Sequence, residues 1–497
     1  MLGVGVSYII EEKRVWKRCE YMRTPLIDTI QKHREKQSVS FHVPGHKNGA
    51  VFPKELSDLQ VMMSYDLTEI EGLDDLHDPQ GPILESEKLL ASFYGTKKSY
   101  YLVNGSTVGN LAMIYASFQK GDYVFVQRNC HKSVLNALKV REVIPVFLEP
   151  EYDEVTGQAV GIDPSTLKAA LKKFPDSKGI IFTYPNYYGI SLSLKPLIQI
   201  AKEFNLKVIV DEAHGAHFIL GEPFPPSAVM LGADMVVQSA HKMLPALTMS
   251  AYLHVSHSVN NEEIKKLQQA LAIFQSSSPS YLLLVSLEGA RAFLQSLKKE
   301  DVETVLAGVE RLKAELNSIP QLEVVQYENS SLQSDPLKVT IRSMTNLTGF
   351  ELQRLFSQYK LETELADEHH VLLVCGFIAP ASQAITSISL LREQLKFKPV
   401  IEKRKIKVEQ RTEKVSTLQI LETERYETTV SKWNEAVGKV AAETVIPYPP
   451  GVPLLYRGEK IEQSVLEQME RLAKAGARFQ GYDAKKGSIL TIDLEEV

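Results

Sequence analysis

The 497-residue chain carries 44% hydrophobic and 24% charged side chains, a balance that predicts a soluble protein of two or more domains with room for a large buried site. Its 56 basic against 61 acidic residues leave a formal charge of −5, which excludes a general basic field for nucleic acid or an anionic membrane and favours small-molecule chemistry. Cys19, Cys130 and Cys375 are odd in number and far apart, so they offer neither a disulfide framework nor metal-ligand spacing, and a reducing cytoplasm is expected.

Residues 1–23 read as an N-terminal extension. Its apolar run precedes the charges, the reverse of an export signal, and is shorter than the roughly 20 apolar residues of a membrane span. Residues 24–98 read as an arm with loops, containing a helix in "PLIDTIQKHREK" and loops at "FHVPGHKNG" and "GLDDLHDPQGP". Between residues 99 and 300, the β-rich runs "SYYLV", "YVFVQ", "PVFLE", "GIIFTY", "KVIVDE", "MVVQS" and "SAYLHV" alternate with amphipathic segments such as "SLKPLIQIAKEFN". That alternation predicts an α/β large domain whose mostly parallel sheet is covered on both faces, with ligands at the carboxyl ends of the strands. Residues 301–497 are expected to form a smaller α+β C-terminal region. It has a helix in "VETVLAGVERLKAEL", a polar loop in "ENSSLQSDP", further elements in "LKVTI", "GFELQRLFSQY" and "HVLLVCGF", and a last helix in "VSKWNEAVGKVAAETV". The charge run "KFKPVIEKRKIKVEQR" reads as a solvated strand or linker.

Three sites at strand ends carry the chemistry. "MVVQSAHK" runs an apolar strand into Ser239, His241 and Lys242; "VIVDEAHGAHF" ends another on Asp211; and "YLVNGSTVGN" follows a third with Gly105, Ser106, Thr107 and Gly109 before a helix. Each is commonplace alone, as a surface lysine, a helix cap or a turn. Together they suit pyridoxal phosphate (PLP). Glycines and hydroxyls at a helix start anchor a phosphate, an aspartate supports a protonated pyridine nitrogen, and a desolvated lysine forms a Schiff base with an aldehyde. "NGSTVGN" lacks the ending of a P-loop and the triple glycine of a dinucleotide fold, and a metal site on His214 and His217 lacks further ligands, so no metal is expected.

These segments, together with "FHVPGHKNG", "GLDDLHDPQG", "RNCHKS", "SSSPSYLLLVSLE" and "YPPGVPLL", resemble the bacterial Orn/Lys/Arg decarboxylases, fold type I (aspartate aminotransferase-like) PLP enzymes, in their compact form without the N-terminal wing domain. The resemblance runs from about residue 24 to the C-terminus. It implies that Lys242 holds the cofactor's aldehyde, Asp211 faces the pyridine nitrogen, His214 lies beside the ring and His131 stacks on it. It further implies that Ser106, Thr107, Ser239 and His241 hold the phosphate and that Ser277 and Ser278 reach the phosphate of a neighbouring subunit, in a homodimer or higher homo-oligomer with shared sites. Asn186, in "TYPNYYG", stands where relatives often have threonine, which predicts altered packing near the cofactor.

The implied reaction is α-decarboxylation of a basic amino acid, with arginine favoured over lysine or ornithine, and with Lys242 or His131 returning a proton to Cα. A distal cation needs a carboxylate, for which Asp74, Asp75, Asp78, Glu364 and Asp367 are candidates, with turn formation and capping as the competing reading. Alternatives are another PLP reaction, such as transamination or cysteine desulfuration, and a PLP-fold regulator without catalysis. Desulfuration needs a nucleophilic cysteine, whereas Cys375 lies in an apolar run expected to be a buried strand.

Overall fold

The computed structural model describes residues 22–327, 329–380, 382–401, 406, 413–417, 426–448, 451–483 and 486–492. Residues 1–21 of the extension and most of the charge run after residue 401 lie outside them.

All seven apolar runs between residues 99 and 255 form strands of one eight-stranded sheet. Its order is Lys98–Leu102, Ala251–Val255, Met235–Gln238, Lys207–Asp211, Gly179–Thr183, Tyr123–Gln127, Ile144–Leu148 and Val415–Thr417. The five strands from Met235–Gln238 to Ile144–Leu148 pair in parallel, and Ala251–Val255 and Val415–Thr417 run antiparallel to their neighbours. Side chains alternate between the two faces. Phe125, Ile180 and Val208 enter one apolar cluster, while Val124, Val126, Ile181 and Ile209 enter another. Each such fully buried side chain contributes roughly 1.5–3 kcal/mol. Burial on both faces explains why these runs read as continuously apolar.

A second sheet, antiparallel, joins Leu322–Val324, Lys338–Ser343, His370–Val374 and Leu365–Ala366. Its core residues Val339, Ile341 and Val371, with Leu337 just before the second strand, belong to the same cluster as one face of the large sheet. Part of the expected loop "ENSSLQSDP" is instead a strand, Leu332–Ser334, paired with Ile190–Leu192. Residues 428–492 build a separate small core around Ala441, Leu455, Met469 and Ile489.

There the expected helix "VSKWNEAVGKVAAETV" does not form. The segment splits into the strand Thr428–Lys432, one helical turn at Trp433–Ala436 and the short strand Val440–Ala441. Both strands pair with Ser488–Ile492, and Gly438, at φ +84°, turns the chain between them. The tertiary partner overrides a helical spacing of apolar residues. The unit is fastened to the large sheet by Arg128, whose guanidinium donates to both carboxylate oxygens of Glu459 at 2.5 and 2.8 Å. Among the described residues no helix is long and apolar enough to cross a membrane.

Candidate active site

Parallel pairing brings the carboxyl ends of the strands to one edge of the large sheet. Asp211 ends its strand opposite Val237, so the chain that leaves the next strand through Ser239 to Lys242 starts beside it. The helix Gly105–Ser117 begins at the same edge, where Gly105, at φ +76°, donates its N–H to the Met249 carbonyl at 2.8 Å. The result is a cavity of about 450 Å³ lined by Ser106, Thr107, His131, Asp211, His214, Ser239, His241 and Lys242.

Asp211 is buried, and its carboxylate accepts from the Asn110 amide at 2.8 Å and from the Ala213 N–H at 3.2 Å. The Asn110 amide also donates to the Ser133 hydroxyl at 2.9 Å. That hydroxyl lies 2.8 Å from Nδ1 of His131, which also accepts from the Ser133 N–H as the cap of helix Lys132–Arg141. With Nδ1 accepting, His131 carries its proton on Nε2. Burial pushes the His131 imidazole down, and Asp211 opposes that.

Lys242 Nζ lies 3.0 Å from Nε2 of His214 and 5.7 Å from the centre of the Tyr187 ring. Burial pushes its amine down, against the pull of Asp211 and Glu364. Burial, then the charges of Lys242 and Lys338, hold His214 well below the usual histidine range. At the start of helix Gly105–Ser117 no side chain caps the free N–H groups, and the Ser239 hydroxyl donates to the Ser106 hydroxyl at 2.8 Å. Those N–H groups, the hydroxyls and the positive helix end form a donor set suited to a phosphate. An unmade cap, a desolvated lysine and a buried carboxylate fit the three polar ends of PLP.

Gly109 serves a different end from the phosphate. A Cβ there would stand 2.4 Å from Val237 Cγ2, so the glycine lets the helix lie against the sheet. Asn186 closes a turn, accepting from the N–H groups of Tyr188 and Ile190 and donating to the Ala159 carbonyl; it does not line the cavity. Of the carboxylates considered for a distal cation, Glu364 borders the cavity. Asp74 is buried and accepts from the N–H groups of Gln80, Gly81 and Ile83 at the start of helix Pro82–Tyr94. Asp75 and Asp78 bond within the same turn, and Asp367 accepts from the N–H groups of His369 and His370 and from the Tyr188 hydroxyl. Ser277 and Ser278 are exposed and lie outside this cavity. Cys375 is half-buried just past its strand, its thiol pushed up to about 11 by burial.

Sequence reasoning missed Lys338, Asn110 and Ser133. Asn110 stood in the quoted "NGSTVGN", where a polar side chain among buried helix positions was a usable signal; Lys338 gave none.

A mostly parallel sheet with this lysine, carboxylate and uncapped donor set on its carboxyl edge is that of a fold type I PLP-dependent enzyme. The family model for the major domain of Orn/Lys/Arg decarboxylases matches residues 24–354, and the model for their C-terminal domain matches residues 407–488. The chain belongs to this family and is a PLP-dependent amino acid decarboxylase. It is 40% identical over 483 residues to the uncharacterized protein YaaO of Bacillus subtilis, covering 96% of this chain and 99% of that one. It is 32% identical over 475 residues to an arginine decarboxylase of Bacillus anthracis, covering 93% of this chain and 96% of that one. The fold is similar to the crystal structure of the Francisella novicida lysine decarboxylase LdcF, with a TM-score of 0.79, 19% identity and coverage of 95% of this chain and 82% of that one.

Proposed function

We propose that the enzyme decarboxylates arginine in preference to lysine or ornithine, releasing CO₂ and agmatine for polyamine synthesis in the cytoplasm. The observation that carries the preference is Glu364. The cavity lining holds two carboxylates, Asp211 and Glu364; the first is engaged by Asn110 and the Ala213 N–H, while the second is solvent-exposed at the cavity. A planar guanidinium is weakly hydrated and binds a carboxylate through two parallel N–H groups, an advantage over an ammonium at such a position. The arginine decarboxylases among its relatives, matched over nearly their whole length, support the same choice.

In this reading Lys242 binds the cofactor's aldehyde, Asp211 faces the pyridine nitrogen, His131 stacks on the ring with His214 beside it, and Ser106, Thr107, Ser239 and His241 hold the phosphate. Bound there, PLP supplies the electron sink for the bond broken at Cα. The residues orient the carboxylate bond across the ring, and Lys242 or His131 returns the proton. Comparing kcat/KM for the three amino acids tests the preference: arginine should lead by at least about tenfold. A higher value for lysine or ornithine contradicts it.

The reading includes a homodimer or larger assembly whose partner brings Ser277 and Ser278 to the phosphate. Its support is the exposed position of both serines and of the apolar arm residues Val39, Phe41, Val43, Val51 and Val61, which a second copy would cover. An active monomer in light scattering contradicts it.

A further inference from the structure

His214 has a lysine on each ring nitrogen. Its Nε2 lies 3.0 Å from Lys242 Nζ and its Nδ1 lies 2.8 Å from Lys338 Nζ. An ammonium group only donates, whereas a neutral imidazole has one donor nitrogen and one acceptor. Both lysines therefore cannot be ammonium groups on a neutral ring. If Lys338 donates to Nδ1, the ring proton sits on Nε2 and Lys242 accepts it as a free amine. In the other tautomer Lys242 is the ammonium and Lys338 the amine. A proton on each of the three groups is opposed by burial, which together with the lysine charges keeps the imidazole neutral.

The surroundings accommodate a proton on either side. Lys338 is 6% exposed, donates to the Tyr187 carbonyl at 2.9 Å and is pushed down to about 7, chiefly by burial. Asp211 and Glu364 favour charge on Lys242, Asp335 and Glu364 favour it on Lys338, and His131 and His241 face His214. Room for Lys338 is made by Gly189, at φ +78°, where a Cβ would stand 2.7 Å from Lys338 Cδ.

We propose that Lys338 is a positioning residue for Lys242: through His214 the two lysines share one proton, and Lys338 carries it whenever Lys242 reacts as a free amine. The transfer balances. The Lys242 ammonium gives a proton to Nε2, His214 releases its Nδ1 proton to the Lys338 amine, and the ring is left in its other tautomer with the total charge unchanged. Nothing in this depends on which amino acid is the substrate.

The test is the rate at which the full chain, stripped of cofactor, captures PLP, read from the bound cofactor's absorbance between about pH 6 and pH 10. Lys338→Met removes the group that takes the Lys242 proton through His214, so the midpoint of its profile should rise by about one unit, with capture about tenfold slower at pH 7 and converging with wild type at the alkaline end. Lys338→Arg keeps a permanent donor on Nδ1, so capture at pH 7 should stay within about twofold of wild type. A Lys338→Met profile with an unmoved midpoint, even if uniformly slower, overturns the proposal. Should the variants fail to fold, ¹⁵N spectra of histidine-labelled wild type decide, with His214 assigned by its loss in His214→Gln. In the cofactor-free chain at pH 7, a neutral ring that carries its proton on Nε2 in a detectable share of molecules supports the proposal; a ring protonated on Nδ1 alone, or on both nitrogens, overturns it.

Discussion

Two lysines meet on the His214 ring from regions built on different rules. Lys242 follows a strand of the large sheet, where parallel pairing gathers carboxyl ends and a polar residue after an apolar run arrives at the site through topology alone. Lys338 opens a strand of the antiparallel sheet, where successive residues alternate faces and no end is reserved for function. Its burial comes from docking that sheet against the large one, with Gly189 giving way. Chemistry placed by topology is thus set by a few residues around one strand end, whereas chemistry placed by packing depends on the fit of two sheets.

The largest expected effect lies on the topological side. Lys242→Ala should lose the borohydride-reducible cofactor linkage and at least about 10³-fold in turnover, measured as CO₂ release. A variant that keeps the linkage removes Lys242 from the role given to it. Asp211→Ala should retain cofactor by absorbance yet lose on the order of 10²-fold in kcat, because the role proposed for it, support of the ring nitrogen, differs from anchoring the phosphate. Near wild-type kcat there would erase the distinction between that edge and the rest of the cavity.

Effects from the packed side should be smaller and of another kind. Glu364→Gln should raise KM for arginine by roughly tenfold with kcat changed little, since a contact with the distal group binds substrate and transition state alike. A fall in kcat at constant KM contradicts that role. The pH dependence of stability supplies the finest comparison. Burial pushes the Lys338 amine down to about 7 in the folded chain, against about 10.4 when unfolded, so the unfolded chain binds more protons between those values. Stability from this group therefore rises with pH through that window. Thermal unfolding of Lys338→Met should show a shallower rise between about pH 7 and pH 9.5 than wild type, and equal slopes refute the shift.

The same division accounts for what could be read in the sequence. The seven strands of the large sheet, and the placement of Lys242, Asp211, Ser106 and Thr107 at one cavity, were legible because burial on both faces makes apolar runs and polar residues follow where they stop. Lys338 was not, since a lysine just past the polar "SDP" and Leu337 looks solvated until the second sheet is docked. Glu364 and Asp367 were indistinguishable in "ELAD"; the turn before His370 engages one and leaves the other at the cavity. "VSKWNEAVGKVAAETV" has a helical spacing of apolar residues, and its strand partner, Ser488–Ile492, lies tens of residues along the chain.

The most direct test of the central claim follows arginine labelled at the 1-carboxyl carbon through a single turnover of the PLP-loaded enzyme. The bond held across the ring decides the outcome, whichever residues anchor the cofactor. The account predicts that the label leaves as CO₂ and that agmatine is formed. Label retained in a 2-oxo acid, with the cofactor converted to pyridoxamine phosphate, would contradict it.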